Sequence, residues 1–113
     1  MNQASVHKIT LQTPDGERLI TCGEDEFIWN AAARSGISLP AICHQGRCLS
    51  CAALRLEGSV DQSTSVSYYP EDARENFVLP CTAKPKSDLR LITHQQTEMR
   101  RRRRELGLPS PYS

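Results

Sequence analysis

Apolar and polar positions alternate loosely over Val6–Leu11 and resume over Leu19–Cys22, on either side of Thr13-Pro14-Asp15-Gly16. Proline presets φ and glycine accepts a positive φ, so these four residues read as a turn. Val6–Cys22 is therefore expected to form a β-hairpin. Glu24-Asp25-Glu26 supply negative charge of the kind that suits the start of a helix. Phe27, Ile28, Ala31, Ala32 and Ile37 then fall at partly helical spacing, with Gly36 as a stop. Pro40 imposes an extended approach to the stretch from Cys43 to Cys51, in which no regular element is expected. Ala52–Glu57 reads as a strand closed by Gly58, and Tyr69–Arg74 as a helical turn with Pro70 at its first position. Phe77-Val78-Leu79 leads into Cys81, and Leu89–Thr93 is a last short strand. The order β-β-α-loop-β-α-β predicts an α+β fold with a mixed sheet, in which the hairpins favour antiparallel pairs.

The 113 residues correspond to one domain, and 38% apolar with 24% charged residues is an ordinary globular composition. No stretch approaches the roughly 18 apolar residues of a membrane span. The first residues lack a basic segment followed by an apolar one, so no secretory signal is expected. The net charge of +1 conceals an asymmetry. Residues 1–99 hold 9 basic against 12 acidic side chains, and Arg100 to Arg104 reverse the sign. Such a run reads either as a solvated tail or as a surface helix through Thr97–Leu106. As an interaction segment it suits an acidic partner or an anionic membrane surface. Nucleic acid is disfavoured, because no interleaved aromatics or recognised module accompany the arginines.

The five cysteines change the picture most. Cys43, Cys48 and Cys51 form a C-x4-C-x2-C triplet, and Cys81 follows after 29 intervening residues. An odd number of cysteines without a secretory signal argues against a disulfide framework, which leaves metal ligation. Three thiolates within nine residues converge most simply on one centre. The spacing with a distant fourth cysteine is the plant-type [2Fe–2S] pattern. The rival is a four-cysteine zinc module acting through its arginine tail, but zinc sites prefer two separated pairs. Cys22, at a strand end, reads as a small buried apolar residue. Trp29 reads as packing and His44 as a loop-surface residue, while His7 and His94 have no neighbouring ligand set.

The segment from Leu39 to Cys51 resembles the cluster loop of plant and cyanobacterial ferredoxins. So do Gly58–Ser63, Phe77–Cys81, and Ser87-Asp88 running into Thr93-His94. The resemblance covers residues 5–98 and implies a β-grasp ferredoxin domain over 1–98, followed by an Arg-rich C-terminal extension over 99–113. It further implies one [2Fe–2S] cluster per chain, held by Cys43, Cys48, Cys51 and Cys81. The implied role is one-electron transfer without catalysis, in a monomeric carrier. Its partners would be a reductase or photosystem-type donor and ferredoxin-dependent acceptor enzymes. The implied location is a cyanobacterial cytoplasm or a plastid stroma.

Several positions depart from that family. Ile42 and Leu49 stand where serines are usual, and Pro80, which has no N–H, stands where threonine is usual. Fewer donors around the sulfides disfavour the more negative reduced state, so a potential lower than that of typical plant-type ferredoxins is expected. The aromatic and carboxylate positions used for docking carry Ser67 and Gln96, with Tyr68 and Glu98 nearby but out of register. Arg34 and Ser35 likewise stand where carboxylates are common.

Overall fold

A computed structural model describes residues 6–41, 49–65 and 68–110. Cys43 and Cys48, together with Ile42, His44, Arg47 and Ser67, lie outside the described residues. The first expectation is met in full: β1 (Val6–Thr13) and β2 (Gly16–Gly23) pair antiparallel along their whole length. Their turn is closed by the Thr13 hydroxyl, which donates to the Gly16 carbonyl and accepts from the Asp15 N–H. The strand period of two places Ile9, Leu11, Ile20 and Cys22 on one buried face.

Helix α1 (Ile28–Arg34) packs on that face through Ile28, Ala31 and Ala32, the two alanines letting the helix approach the sheet closely. Arg34 clamps its end to the hairpin, reaching both carboxylate oxygens of Glu26 at 2.7 Å and the Thr21 carbonyl at 3.0 Å. The remaining elements are β3 (Ala53–Glu57), β4 (Val60–Asp61), α2 (Pro70–Arg74), β5 (Phe77–Val78), β6 (Lys84–Pro85), β7 (Leu89–Ile92) and α3 (Gln96–Glu105). Five strands form one sheet in the order β2-β1-β7-β3-β5, and β4 pairs with β6 separately. One pair departs from the antiparallel expectation. The last strand, β7, returns to the middle of the sheet and runs parallel to β1, from Ile9↔Leu89 to Gln12↔Ile92. A mixed sheet gripping one main helix is the α+β, β-grasp arrangement implied by the resemblance. Gly58 is indispensable to the return, because its φ is +91° and a Cβ there would lie 2.1 Å from the Asp88 carbonyl oxygen.

Apolar side chains gather in two groups. One fills the space between sheet and α1, and the second comprises Leu49, Cys51, Ala52, Phe77, Leu79, Cys81 and Met99. Trp29 packs against both.

The arginine run lies almost wholly within α3, and position 98 falls inside that helix. The helix start is tied to the residue preceding β3 by the Gln95 N–H on the Ala52 carbonyl at 2.9 Å, and Met99 is fully buried. Arg103, one turn beyond Met99, is only 1% exposed. Its Nε and Nη2 meet the two oxygens of buried Asp72 at 3.0 and 2.8 Å, its Nη1 donates to the Pro109 carbonyl, and its guanidinium lies over the Tyr69 ring. Asp72 also accepts from the Tyr69 N–H at the start of α2. Arg101 pairs with Glu98 and Glu105, and Arg102 pairs with Glu75 and Glu105. The Arg102 guanidinium holds the Glu75 carboxyl below the usual carboxylate range. The run is therefore largely engaged with carboxylates of its own chain.

Removing one partner of a buried pair strands the other's charge, so Arg103→Met should lower unfolding stability by roughly 3–5 kcal/mol in chemical denaturation. Replacing both partners, as Arg103→Met with Asp72→Leu, should restore much of the loss. Equal losses in the single and double variants would remove the pair from its place in the fold.

Candidate metal centre

Cys51 stands just ahead of β3, and Cys81 stands in the turn between β5 and β6. The fold brings these two thiols together across 30 positions of sequence, and the Cys51 thiol contacts the Cys81 sulfur at 3.1 Å. That is well beyond the disulfide bond length of about 2.05 Å. Both residues are nearly dry, at 4% and 5% exposure, and are surrounded by Leu49, Phe77, Leu79 and Met99. Leu49 enters this wall with a φ of 66°, a left-handed conformation unusual for a branched side chain. Two soft sulfur donors, juxtaposed and shielded from water, suit an iron–sulfur centre. The other two cysteines named from the spacing, Cys43 and Cys48, lie outside the described residues.

The turn bearing Cys81 belongs to neither sheet, and its backbone is held from three sides. The N-terminus of α1 supplies two N–H groups that have no partner within the helix: Ile28 donates to Ala83 and Trp29 to Pro80, both at 2.9 Å. The Gln62 side-chain carbonyl accepts from the Leu79 N–H at 2.6 Å, and its amide nitrogen reaches Ser65 Oγ at 2.8 Å. Ser65 Oγ in turn lies 2.6 Å from Thr82 Oγ1. Within the turn, the Thr82 N–H donates to the Leu79 carbonyl at 3.0 Å. On the Cys51 side, Ala52 donates to the Leu49 carbonyl, and Arg100 Nη2 lies 3.1 Å from Oγ of buried Ser50.

The sequence singles out none of Gln62, Ser65 and Thr82, and marks Arg100 only as part of the arginine run. Gln62 lay within a segment of family resemblance, but a polar side chain carries no periodic signal of what it will brace. The other candidates are placed elsewhere. Cys22 is fully buried in the sheet–helix core and donates to the Glu26 carbonyl at 3.3 Å. Burial, reinforced by the Glu26 carboxylate, pushes its thiol up to about 12, so it stays protonated. His7 meets Glu24 at 2.9 Å, and His94 Nδ1 lies 2.8 Å from the neighbouring Thr93 hydroxyl. Trp29 is half-buried and its indole donates to the Leu39 carbonyl at 2.9 Å. The Tyr68 hydroxyl is committed to the Phe77 carbonyl, and burial pushes its pKa up to about 12. Gln96 is the first residue of α3, and Glu98 is paired with Arg101.

Comparison with known proteins places the chain in a family. The profile of the 2Fe-2S iron-sulfur cluster binding domain matches residues 12–86. Ferredoxin-2 of Synechococcus sp. is 39% identical over 79 residues, covering 70% of this chain and 75% of that protein. The chloroplastic ferredoxin-6 of Zea mays is 34% identical over 97 residues, covering 85% of this chain and 63% of that protein. Among solved structures, pectocin M2 superposes with a TM-score of 0.74 at 27% identity, over 90% of this chain and 40% of that one. The ferredoxin reductase in carbazole 1,9a-dioxygenase superposes with a TM-score of 0.62 at 30% identity, over 79% of this chain and 28% of that one. This chain thus spans two-fifths or less of either structure. With a profile matching residues 12–86 and ferredoxin relatives at 39% identity over about three-quarters or more of their own length, the chain belongs to the 2Fe-2S ferredoxin family, as an electron-transfer protein with a [2Fe–2S] cluster rather than an enzyme.

Proposed function

We propose that Cys43, Cys48, Cys51 and Cys81 hold the cluster, and that the chain shuttles single electrons between redox proteins at a potential below that of typical plant-type ferredoxins. The observation that carries this reading is the buried contact of Cys51 with Cys81, supplied by two distant parts of the chain. When bound, the cluster takes up and releases one electron. Residues 1–98 are the electron-transfer domain, and 99–113 act as its brace through α3. Cyanobacterial and chloroplastic relatives support a cyanobacterial cytoplasm or plastid stroma as the setting. A reductase or photosystem-type donor and ferredoxin-dependent acceptors are the expected partners of a monomeric carrier.

The low potential follows from how the Cys81 turn satisfies its own backbone. Leu79 gives its N–H to Gln62, Thr82 gives its N–H to Leu79, and Pro80 has none to give. Donors committed to protein oxygens do less to stabilise added negative charge on sulfur. Leu49, Leu79 and Met99 add an apolar wall that limits water. Both effects disfavour the reduced form, which carries one more negative charge. Gln62 has a second role here, because it fixes the position of the Cys81 turn relative to β4.

Anaerobically prepared protein should be red-brown, bleach with dithionite, and give a rhombic EPR signal from one unpaired spin per chain. Serine at Cys51 or Cys81 should abolish that signal, whereas a colourless chain with stoichiometric zinc would overturn the reading. A redox titration should place the midpoint below about −400 mV, the plant-type value; a midpoint at or above it would refute the low-potential proposal. Gln62→Leu leaves the Leu79 N–H without its acceptor, which should cost about 1–3 kcal/mol in unfolding. The same variant should lose visible colour faster than the parent under chelator challenge, and an unchanged rate would show that the turn does not depend on this brace.

A further inference from the structure

We propose that Arg100 is a positioning residue for electron transfer, one that raises the reduction potential by holding its guanidinium beside the Cys51 segment. The proposal rests on the reading above, in which Cys51 is a ligand. It begins with the way α3 is fixed. The Gln95 N–H anchors the helix start to the residue preceding β3, Met99 is sunk among the side chains around the thiols, and Arg103 is locked on Asp72. These three anchors lie on successive turns, so the helix can neither slide nor rotate. Arg100 adjoins Met99 and is therefore delivered to the edge of the same wall, where Nη2 meets Ser50 Oγ at 3.1 Å.

Ser50 is only 6% exposed and is the residue before Cys51. Consecutive Cα atoms are about 3.8 Å apart, so a charge in contact with Ser50 stands beside the residue adjoining Cys51, at a range comparable with the screening length of about 8 Å. Arg100 is itself half-buried, which further weakens screening by salt. A fixed positive charge at that range favours whichever state has more negative charge nearby, and here that is the reduced state. The neighbouring arginines are aimed differently: Arg101 at Glu98 and Glu105, and Arg102 at Glu75 and Glu105. Arg100 thus acts against the donor-poor Cys81 turn, and the potential is the balance of the two.

The test is redox titration of the cluster-loaded full chain, followed by visible absorption and EPR. Arg100→Gln should shift the midpoint to a more negative value than the parent, while Arg100→Lys should keep most of the parent value. Arg101→Gln removes the same formal charge from the exposed side of α3 and should shift the midpoint less than Arg100→Gln. Ser50→Ala, which keeps the arginine but removes its contact with Ser50, should give a smaller shift of the same sign and stands in if Arg100→Gln does not fold. An unmoved midpoint in Arg100→Gln, or one moved no further than in Arg101→Gln, overturns the proposal while the cluster signal stays intact. Absence of any reversible one-electron signal in the parent, or an unaltered signal in Cys51→Ser, overturns the underlying reading and this proposal with it.

Discussion

A ligand-bearing turn outside any sheet must still satisfy its backbone, because a buried carbonyl or N–H without a partner costs free energy comparable to a lost hydrogen bond. That constraint governs the surroundings of Cys81. The carbonyls of Pro80 and Ala83 are met by the two N–H groups that the start of α1 leaves over. The N–H of Leu79 is met by a side chain, Gln62, and Pro80, the next residue, has no N–H that would otherwise need a partner. The main helix, the turn and the β4 segment are in this way parts of one hydrogen-bonded assembly. The thiol position is an outcome of that assembly and not of local sheet geometry.

The second determinant is α3. Successive residues of a helix advance by about 100°, so five consecutive arginines point in every direction around the axis. If such a helix packs at all, at least one guanidinium must face the protein. Arg103 is that residue, and the cost of burying it is offset by a two-point contact with Asp72, by the Pro109 carbonyl and by the Tyr69 ring. The same geometry explains why the net charge of the segment says little about its role. Arg101 and Arg102 meet carboxylates of α3 and of Glu75, so most of the positive charge is compensated within the chain.

Much of this was legible in the residues. The hairpin followed from Thr13-Pro14-Asp15-Gly16, α1 from the spacing of Ile28, Ala31 and Ala32, and the metal chemistry from the cysteine spacing. What was not legible depended on partners distant in sequence. Nothing near Val6–Thr13 announces that β7 will lie parallel beside it, because parallel pairing leaves no turn signature. Asp72 looks like any acidic residue of a helical first turn until Arg103 is folded onto it. Gln62 and Ser50 are ordinary loop residues whose importance comes from the atoms brought next to them, the Leu79 N–H and the Arg100 guanidinium.

Trp29 joins these levels in a single side chain. Its backbone N–H holds the carbonyl next to Cys81, its indole holds Leu39 at the approach to the cysteine loop, and its ring touches both apolar groups. The sheet-and-helix scaffold and the thiol-bearing end therefore share one side chain, which couples the packing of one to that of the other. Small single domains usually unfold as one cooperative unit, and sharing of this kind favours it. As the chain's sole tryptophan, the same residue is an intrinsic fluorophore seated at that junction.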